Sequence, residues 1–245
     1  MKEELDDGSA STEQGSRTDS GPDRDLAIIV AARNEADRVG ETLGSLSTAF
    51  PGAVIWLADD ASGDGTAEIA MGEGAVVVSR RFPHGKGGNV TACADALLHR
   101  DRPRFVLVCD ADLGASAGRL GPLVEAVRAD ECDLAVASFM RRVGGGFGVA
   151  LGFSRWAIRN RSGFIAEAPI SGQRAMRTEV LEAVLPLARG YGLETGMTID
   201  AVRAGFRVAE YEVDLSHRAT GKSLGGFIHR FRQLADFIRV WWERR

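Results

Sequence analysis

From Asp25 onward, short runs of apolar residues alternate with longer stretches whose apolar residues recur every three or four positions, and three of the apolar runs are followed within four residues by acidic ones. A run that is apolar on both faces must be covered on both, as the strands of a parallel sheet are. Leu26-Ala27-Ile28-Ile29-Val30-Ala31 is such a run. Val39, Leu43, Leu46 and Phe50 then follow at spacings of four, three and four, which places them on one face of a helix. The alternation continues through a strand at 53–58, a short helix at 65–71, a strand at 75–79, a helix at 90–98, a strand at 105–109, a helix at 120–127 and a strand at 134–137. This order predicts an α/β fold with a mostly parallel sheet flanked by helices, and a ligand crevice at the carboxyl ends of the strands. A chain of 245 residues, 44% hydrophobic, supplies the core of one such domain and would be tight for two.

The two ends differ from this body. Residues 1–24 are rich in Ser, Gly, Asp and Glu and read as a disordered acidic tail ahead of a domain at 25–223. The tail holds three basic and seven acidic residues, a net of −4 that equals the formal charge of the whole chain. The folded part is therefore near neutral, which argues against a nucleic-acid partner. Residues 224–245 read as an amphipathic helix with Phe227, Ile228, Phe231, Leu234, Ile238 and Trp241 on one side. From His217 to Arg245 there are seven Lys/Arg against two Asp/Glu, so the helix suits an anionic membrane surface, its own domain or a sister subunit. The tail is not built like a secretory signal, and no apolar run is long enough to span a bilayer, so a cytoplasmic protein is expected, with peripheral contact at the inner face of the membrane as a further option. Cys93, Cys109 and Cys132 stand singly in apolar stretches and are expected as buried thiols.

What the strand ends carry points to chemistry. The first delivers Ala32-Arg33-Asn34-Glu35, the second Asp59-Asp60, and the fourth Asp110-Ala111-Asp112. Crowded carboxylates repel unless a cation or hydrogen-bond donors compensate them, so the clustering suggests a metal or a polyhydroxyl ligand. Strand alternation would put Asp110 and Asp112 on one side, as hard oxygen ligands for Mg²⁺ or Mn²⁺ that leave positions for a diphosphate. Residues 60–65 imitate a calcium loop, but Met71 stands where its bidentate Glu is required. A tight turn capped by Ser62 or Asp64 is expected instead, leaving Asp59 or Asp60 free to accept hydrogen bonds from a base or ribose. His84-Gly85-Lys86-Gly87-Gly88 is not a Walker loop, because Arg80 and Gly87 occupy positions that need Gly and Ser/Thr. Glycines around a lysine ahead of a helix still suit contact with a diphosphate. Gly144-Gly145-Gly146-Phe147-Gly148 is expected as a mobile loop near the site. Zinc hydrolase and serine esterase signatures do not occur.

Taken in order, Ala32-Arg33-Asn34-Glu35, Asp59-Asp60 with Ser62, Asp64, Gly65 and Thr66, Lys86-Gly87 and the Asp110/Asp112 pair resemble the family 2 glycosyltransferases over roughly Leu26 to Ser223. The resemblance implies a GT-A type, Rossmann-like fold and transfer of a hexose from a nucleoside-diphosphate sugar with inversion. It also implies that Ala32, Arg33, Glu35, Asp59 and Asp60 face the nucleotide, that Lys86, Asp110 and Ala111 border the diphosphate sugar, and that Asp110 and Asp112 hold the metal. Ser171-Gly172-Gln173-Arg174 and Arg218-x-x-Gly221-Lys222-Ser223 look like the acceptor side of the polyprenyl-phosphate hexosyltransferases, which makes Gln173, Arg174, Arg218, Lys222 and Ser223 acceptor-binding candidates. Gly190 to Thr195 instead resembles the glucosyl-phosphoglycerate synthases, whose downstream metal-binding His is matched by His217. Glu194 is the candidate general base if the acceptor is a hydroxyl, whereas a phosphate acceptor needs none. Gly114 departs from the lipid-phosphate enzymes, which often have Gln there. Two rivals are a sugar nucleotidyltransferase, whose Gly-rich loop after the first strand is missing here, and a non-catalytic nucleotide-sugar binder, in which one acid of the pair would be lost.

Overall fold

The computed structural model describes residues 23–139, 148–215 and 235–245. Strand β1 (Leu26–Ala32) lies at the centre, parallel to β2 (Val54–Asp59) on one side and β4 (Phe105–Asp110) on the other. β3 (Val76–Ser79) extends the sheet beyond β2, and the full order is β3-β2-β1-β4-β6-β5-β7. Alternate residues of β1 feed two separate cores. Leu26, Ile28 and Val30 pack with Val39, Leu43 and Leu46 of α1 (Val39–Ala49) and with Leu123, Val124 and Val127 of α4 (Gly121–Arg128). Ala27 and Ile29 pack with Val90, Cys93 and Leu97 of α3 (Gly85–Arg100), and with residues of α6 (Thr178–Val184) and α7 (Leu193–Arg203). The result is a helix–sheet–helix sandwich in which each fully buried Leu, Ile or Val contributes roughly 1.5–3 kcal/mol. All three thiols are free and buried, and burial pushes that of Cys93 up to about 12.

The predicted elements up to β5 (Leu134–Phe139) are present, α2 (Thr66–Gly72) included, with three differences. α3 begins at Gly85 rather than Val90, so Lys86 sits in its first turn and not in a loop before it. A 3₁₀ segment, Gly114–Leu120, precedes α4. The sheet is also not wholly parallel. β6 (Arg174–Arg177), which the sequence pattern did not reveal, inserts antiparallel between β4 and β5. Four residues with arginine at both ends do not look like a strand, and the position is viable because Arg174 finds hydrogen bonds inside the protein. α5 (Gly148–Ser162) and β7 (Val208–Val213) complete the body. Residues 144–147 of the glycine stretch lie outside the described residues, and Gly148 opens α5.

A final helix, α8 (235–243), docks against α5 and α7. Phe237 and Val240 are its buried residues, while Ile238, expected inward, is 45% exposed. The buried stripe is thus rotated from the one expected, and three glycines explain the fit. A Cβ at Gly192 would lie 2.3 Å from Val240 Cγ2, one at Gly190 would collide with the Asp236 carboxylate, and one at Gly196 would lie 2.9 Å from Arg244 Nη2. Arg244 Nε also donates to both carboxylate oxygens of Asp200 at 2.8 Å. No helix among the described residues is long and apolar enough to cross a membrane.

Candidate active site

Parallel pairing sets the strand ends level. Ala32 is opposite Asp59, and Ala31 is opposite Asp110, so the carboxyl ends of β1, β2 and β4 form one rim. The loops after β1 and β2 then brace each other. Ser62 Oγ accepts from the Asn34 amide, Thr66 Oγ1 from that of Glu35, and Asp64 Oδ2 from that of Ala36, while Asn34 Oδ1 accepts from the Gly63 amide. Asn34 and Ala61 both have left-handed backbones, at φ 55° and 59°, a conformation that costs about 1 kcal/mol each and persists where surroundings enforce it. Ser62 is therefore a brace between loops rather than a helix cap. Asp64 does accept from the Thr66 amide at the start of α2, as expected.

Asp59 and Asp60, one or other of which was expected to be free for a base or ribose, both accept hydrogen bonds within the protein. Both are nearly buried, at 3% and 4% exposure. Asp60 Oδ1 and Oδ2 accept from the amides of His84 and Gly85 at 2.7 and 3.0 Å, capping α3, and Asp59 Oδ1 accepts from the Ser62 amide. Backbone donors supply the hydrogen bonds to this pair. Arg33, half exposed, stands with Nη1 3.9 Å from Asp60 Oδ2 and remains available on the rim. Ala32 is 6% exposed, and its carbonyl accepts from the Asp60 amide. Glu35 follows at the same rim, its amide held by Thr66.

β4 ends at Asp110, and residues 111 and 112 already turn, so the strand-alternation argument does not extend to Asp112. The turn is built instead by Thr42 and Arg38 of the α1 region. Thr42 Oγ1 donates to the Ala111 carbonyl at 2.7 Å and accepts from the Gly114 amide, and Arg38 Nη1 donates to the Asp112 carbonyl at 3.0 Å. Thr42 was missed in the sequence, although a fully buried hydroxyl beside the Val39/Leu43 stripe is a signal that could have found it.

A second set of side chains closes on Asp110. Lys86 Nζ lies 2.6 Å from Asp110 Oδ1 and 2.9 Å from Glu194 Oε1, and Gln173 Nε2 donates to Asp110 Oδ2 at 2.9 Å. Burial alone would lower the affinity of Lys86 for its proton, but the two carboxylates outweigh that and hold it above the usual lysine range. Gly172 lines the contact, since a Cβ there would fall 2.5 Å from Asp110 Oδ2 and 2.6 Å from Lys86 Nζ. Arg174 is fully buried, so it does not present itself to an acceptor as the sequence reading supposed. Its Nε donates to the Ser171 carbonyl and its Nη1 to Thr198 Oγ1, whose hydroxyl donates in turn to the Glu194 carbonyl. Arg174 thus ties the Gln173 turn to the first turn of α7. Burial pushes its guanidinium down to about 10, against the partial support of Glu194 and Glu210. His217, Arg218, Lys222 and Ser223 lie outside the described residues.

The profile of the family described as Glycosyl transferase family 2 matches residues 27–185. The chain belongs to that family. This glycosyltransferase is 33% identical over 214 residues to the undecaprenyl-phosphate mannosyltransferase of Micrococcus luteus, a match spanning 81% of this chain and 86% of that one. It is 30% identical over 213 residues to the glucosyl-3-phosphoglycerate synthase of Mycolicibacterium paratuberculosis, spanning 72% of this chain and 60% of the relative. Among solved structures, glucosyl-3-phosphoglycerate synthase from Mycobacterium tuberculosis in complex with Mn²⁺, uridine diphosphate and glucosyl-3-phosphoglycerate has a TM-score of 0.69 at 23% identity, covering 88% of this chain and 79% of that one. The last likeness speaks for the fold, which is GT-A.

The donor set of this glycosyltransferase fits a hard divalent cation. Asp110 ends β4 with its carboxylate beside Lys86 and Gln173, Asp112 follows in the turn, and no group of three His, Cys, Asp or Glu residues able to hold a metal forms among the described residues. A cation that takes one or two carboxylates and fills its other positions with water and phosphate oxygens, as Mg²⁺ does, matches that sparse set.

Proposed function

We propose that this glycosyltransferase moves a hexose from a nucleoside-diphosphate sugar, bound with Mg²⁺ or Mn²⁺ at Asp110 and Asp112, to the phosphate of a polyprenyl lipid, with inversion at the sugar. The observation that carries the reading is the cluster of Asp110, Lys86, Gln173 and Glu194 at the carboxyl ends of the strands. The cation would neutralise charge on the departing nucleoside diphosphate. The protein's own residues divide the remaining work. Ala32, Arg33 and Glu35 border the nucleoside, with Asp60 acting beneath them by fixing the start of α3. Lys86, in the first turn of that helix, supplies a cation for the diphosphate. Glu194, 7% exposed and paired with Lys86, is better suited to holding that lysine than to accepting a proton, in keeping with a phosphate acceptor that brings its own charge. His217 at the metal, and Arg218, Lys222 and Ser223 at the acceptor phosphate, complete the proposed site.

Two observations support a lipid acceptor. One is the mannosyltransferase relative, whose name specifies undecaprenyl phosphate. The other is an aromatic and cationic face on α5 and α8. Trp156 stacks near Phe153 and Trp241 at 5.4 and 5.3 Å, Trp242 is 59% exposed, and Arg161 lies 4.2 Å over the Trp241 ring. α5 adds Arg155 and Arg159 and carries no acid. Interfacial tryptophans among arginines match the headgroup region of an anionic leaflet, which supports peripheral attachment at the inner face of the membrane. A small soluble acceptor, as in the phosphoglycerate synthase relative, is the second reading. Gly190 and Gly192 of the segment that favoured it also serve the docking of α8.

The test is a panel of radiolabelled nucleotide sugars supplied with Mn²⁺ and either vesicle-borne polyprenyl phosphate or 3-phosphoglycerate. Label extracted into organic solvent only with the lipid is expected, and label found solely in the aqueous phosphoglycerate product overturns the lipid reading. In sedimentation with phosphatidylglycerol vesicles, W156A/W242A is expected to bind at least tenfold more weakly than the native protein. Equal binding removes the role of this face.

A further inference from the structure

Lys86 is the one cation placed between Asp110 and Glu194 among the described residues, within 2.9 Å of an oxygen of each. Its position is set by the fold around it. Asp60 fixes the amides of His84 and Gly85 just ahead of it, and Gly87 just behind it packs so closely that a Cβ would lie 1.8 Å from the Ala188 carbonyl oxygen. Both oxygens of Asp110 are already engaged, Oδ1 by Lys86 and Oδ2 by Gln173. Without the ammonium, the two partly buried carboxylates would be left with the Gln173 amide at Asp110 and the field of the buried Arg174 guanidinium at Glu194. An ammonium and a dication cannot both sit in contact with Oδ1 without strong repulsion. The lysine side chain is also the flexible kind of cation, a point charge on a four-carbon stem that can swing from one oxygen to another.

From this we infer that Lys86 is a built-in counter-cation that pairs with Asp110 and opposes the binding of a divalent metal on its own, until a nucleoside diphosphate's oxygens take over the ammonium. Metal and diphosphate therefore load together, and metal alone binds poorly. The inference rests on the reading of Asp110 as part of the donor's metal site, and it assigns a regulatory role to a residue otherwise seen only as a diphosphate contact. Gly172 belongs to the same device, because its missing side chain is what lets Lys86 reach Asp110 past the 171–173 turn.

The experiment measures free Mn²⁺ by electron paramagnetic resonance during titration of the native protein, K86M, K86Q and K86R, each with and without UDP or GDP. Gln at 86 keeps hydrogen-bonding capacity toward both carboxylates, so it guards against a variant that does not fold, and circular dichroism checks both neutral variants. Expected without nucleotide is Mn²⁺ binding at least tenfold tighter in K86M and K86Q than in the native protein, with K86R close to native. Expected with nucleotide is the reverse order, the neutral variants losing at least tenfold in affinity for the metal–diphosphate pair. If the native protein binds Mn²⁺ with a diphosphate, but the neutral variants bind Mn²⁺ alone no better than native, the counter-cation role is overturned and the donor-site reading stands. If no form binds Mn²⁺ even with a diphosphate, the donor-site reading fails and takes the inference with it.

Discussion

Asp112→Ala is expected to lower sugar transfer by about 10³-fold, corresponding to roughly 4 kcal/mol of lost transition-state stabilisation, with the fold retained. The magnitude follows from what the carboxylate is proposed to do. A divalent cation at the leaving diphosphate supplies several kcal/mol of charge stabilisation, and a site offering two carboxylates has little reserve when one is removed. The fold should survive because Arg38 holds the backbone carbonyl of residue 112, which the substitution leaves in place, and Thr42 holds the residues on either side of it. Initial rates at saturating donor, together with a far-ultraviolet spectrum, check the result. Activity within tenfold of native would remove Asp112 from the metal site.

The second large effect is on stability. Gly87→Ala is expected to destabilise the protein by about 3 kcal/mol, the upper end of the cost of overpacking, and to lower the melting temperature by about 10 °C. The added Cβ would meet Ala188 O at 1.8 Å and Ala188 C at 2.9 Å, and these backbone atoms cannot rotate away. The same junction carries a paired hydroxyl, since Thr91 Oγ1 donates to the Gly87 carbonyl and accepts from the Leu187 amide, so a shift of the helix breaks more than the contact. Lys86 would be displaced with it, and transfer activity should fall as well. Gly152→Ala is the matched control. It lies within α5 with open space around the new methyl, and should leave the melting temperature unchanged or slightly raised. Comparable melting of the two variants would mean that α3 has room to move at this junction.

The central sheet was legible because its strands obey the simplest rule available, apolar on both faces and cut off by acids. Ile28 and Ile29 are both fully buried, on opposite faces, as that rule requires. β6 was not legible for the opposite reason. Its first residue is a buried arginine held by the local Ser171 carbonyl and by Thr198, which only the tertiary fold brings to it. The same limit applied at the site. Sequence order located Asp59, Asp60 and Asp110 at one rim, yet which of them is already satisfied depended on where α3 begins. That start was read five residues late, since Gly85, Gly87 and Gly88 disguise the first turn of the helix. Moving it to Gly85 gives the Asp60 carboxylate two amides to accept from and brings Lys86 to Asp110. The contact between Lys86 and Glu194 joins residues 108 positions apart and has no local signature at all.

Sugar transfer as proposed needs a divalent cation joining the carboxylates at the end of β4 to a nucleoside diphosphate. Calorimetric titration of the full chain with UDP and with GDP, in Mn²⁺ and again in chelator, tests this most directly. At least one of the two is expected to bind in Mn²⁺, with the binding abolished by chelator and equally by Asp112→Ala. Binding that persists in chelator and is unchanged by Asp112→Ala would contradict that requirement.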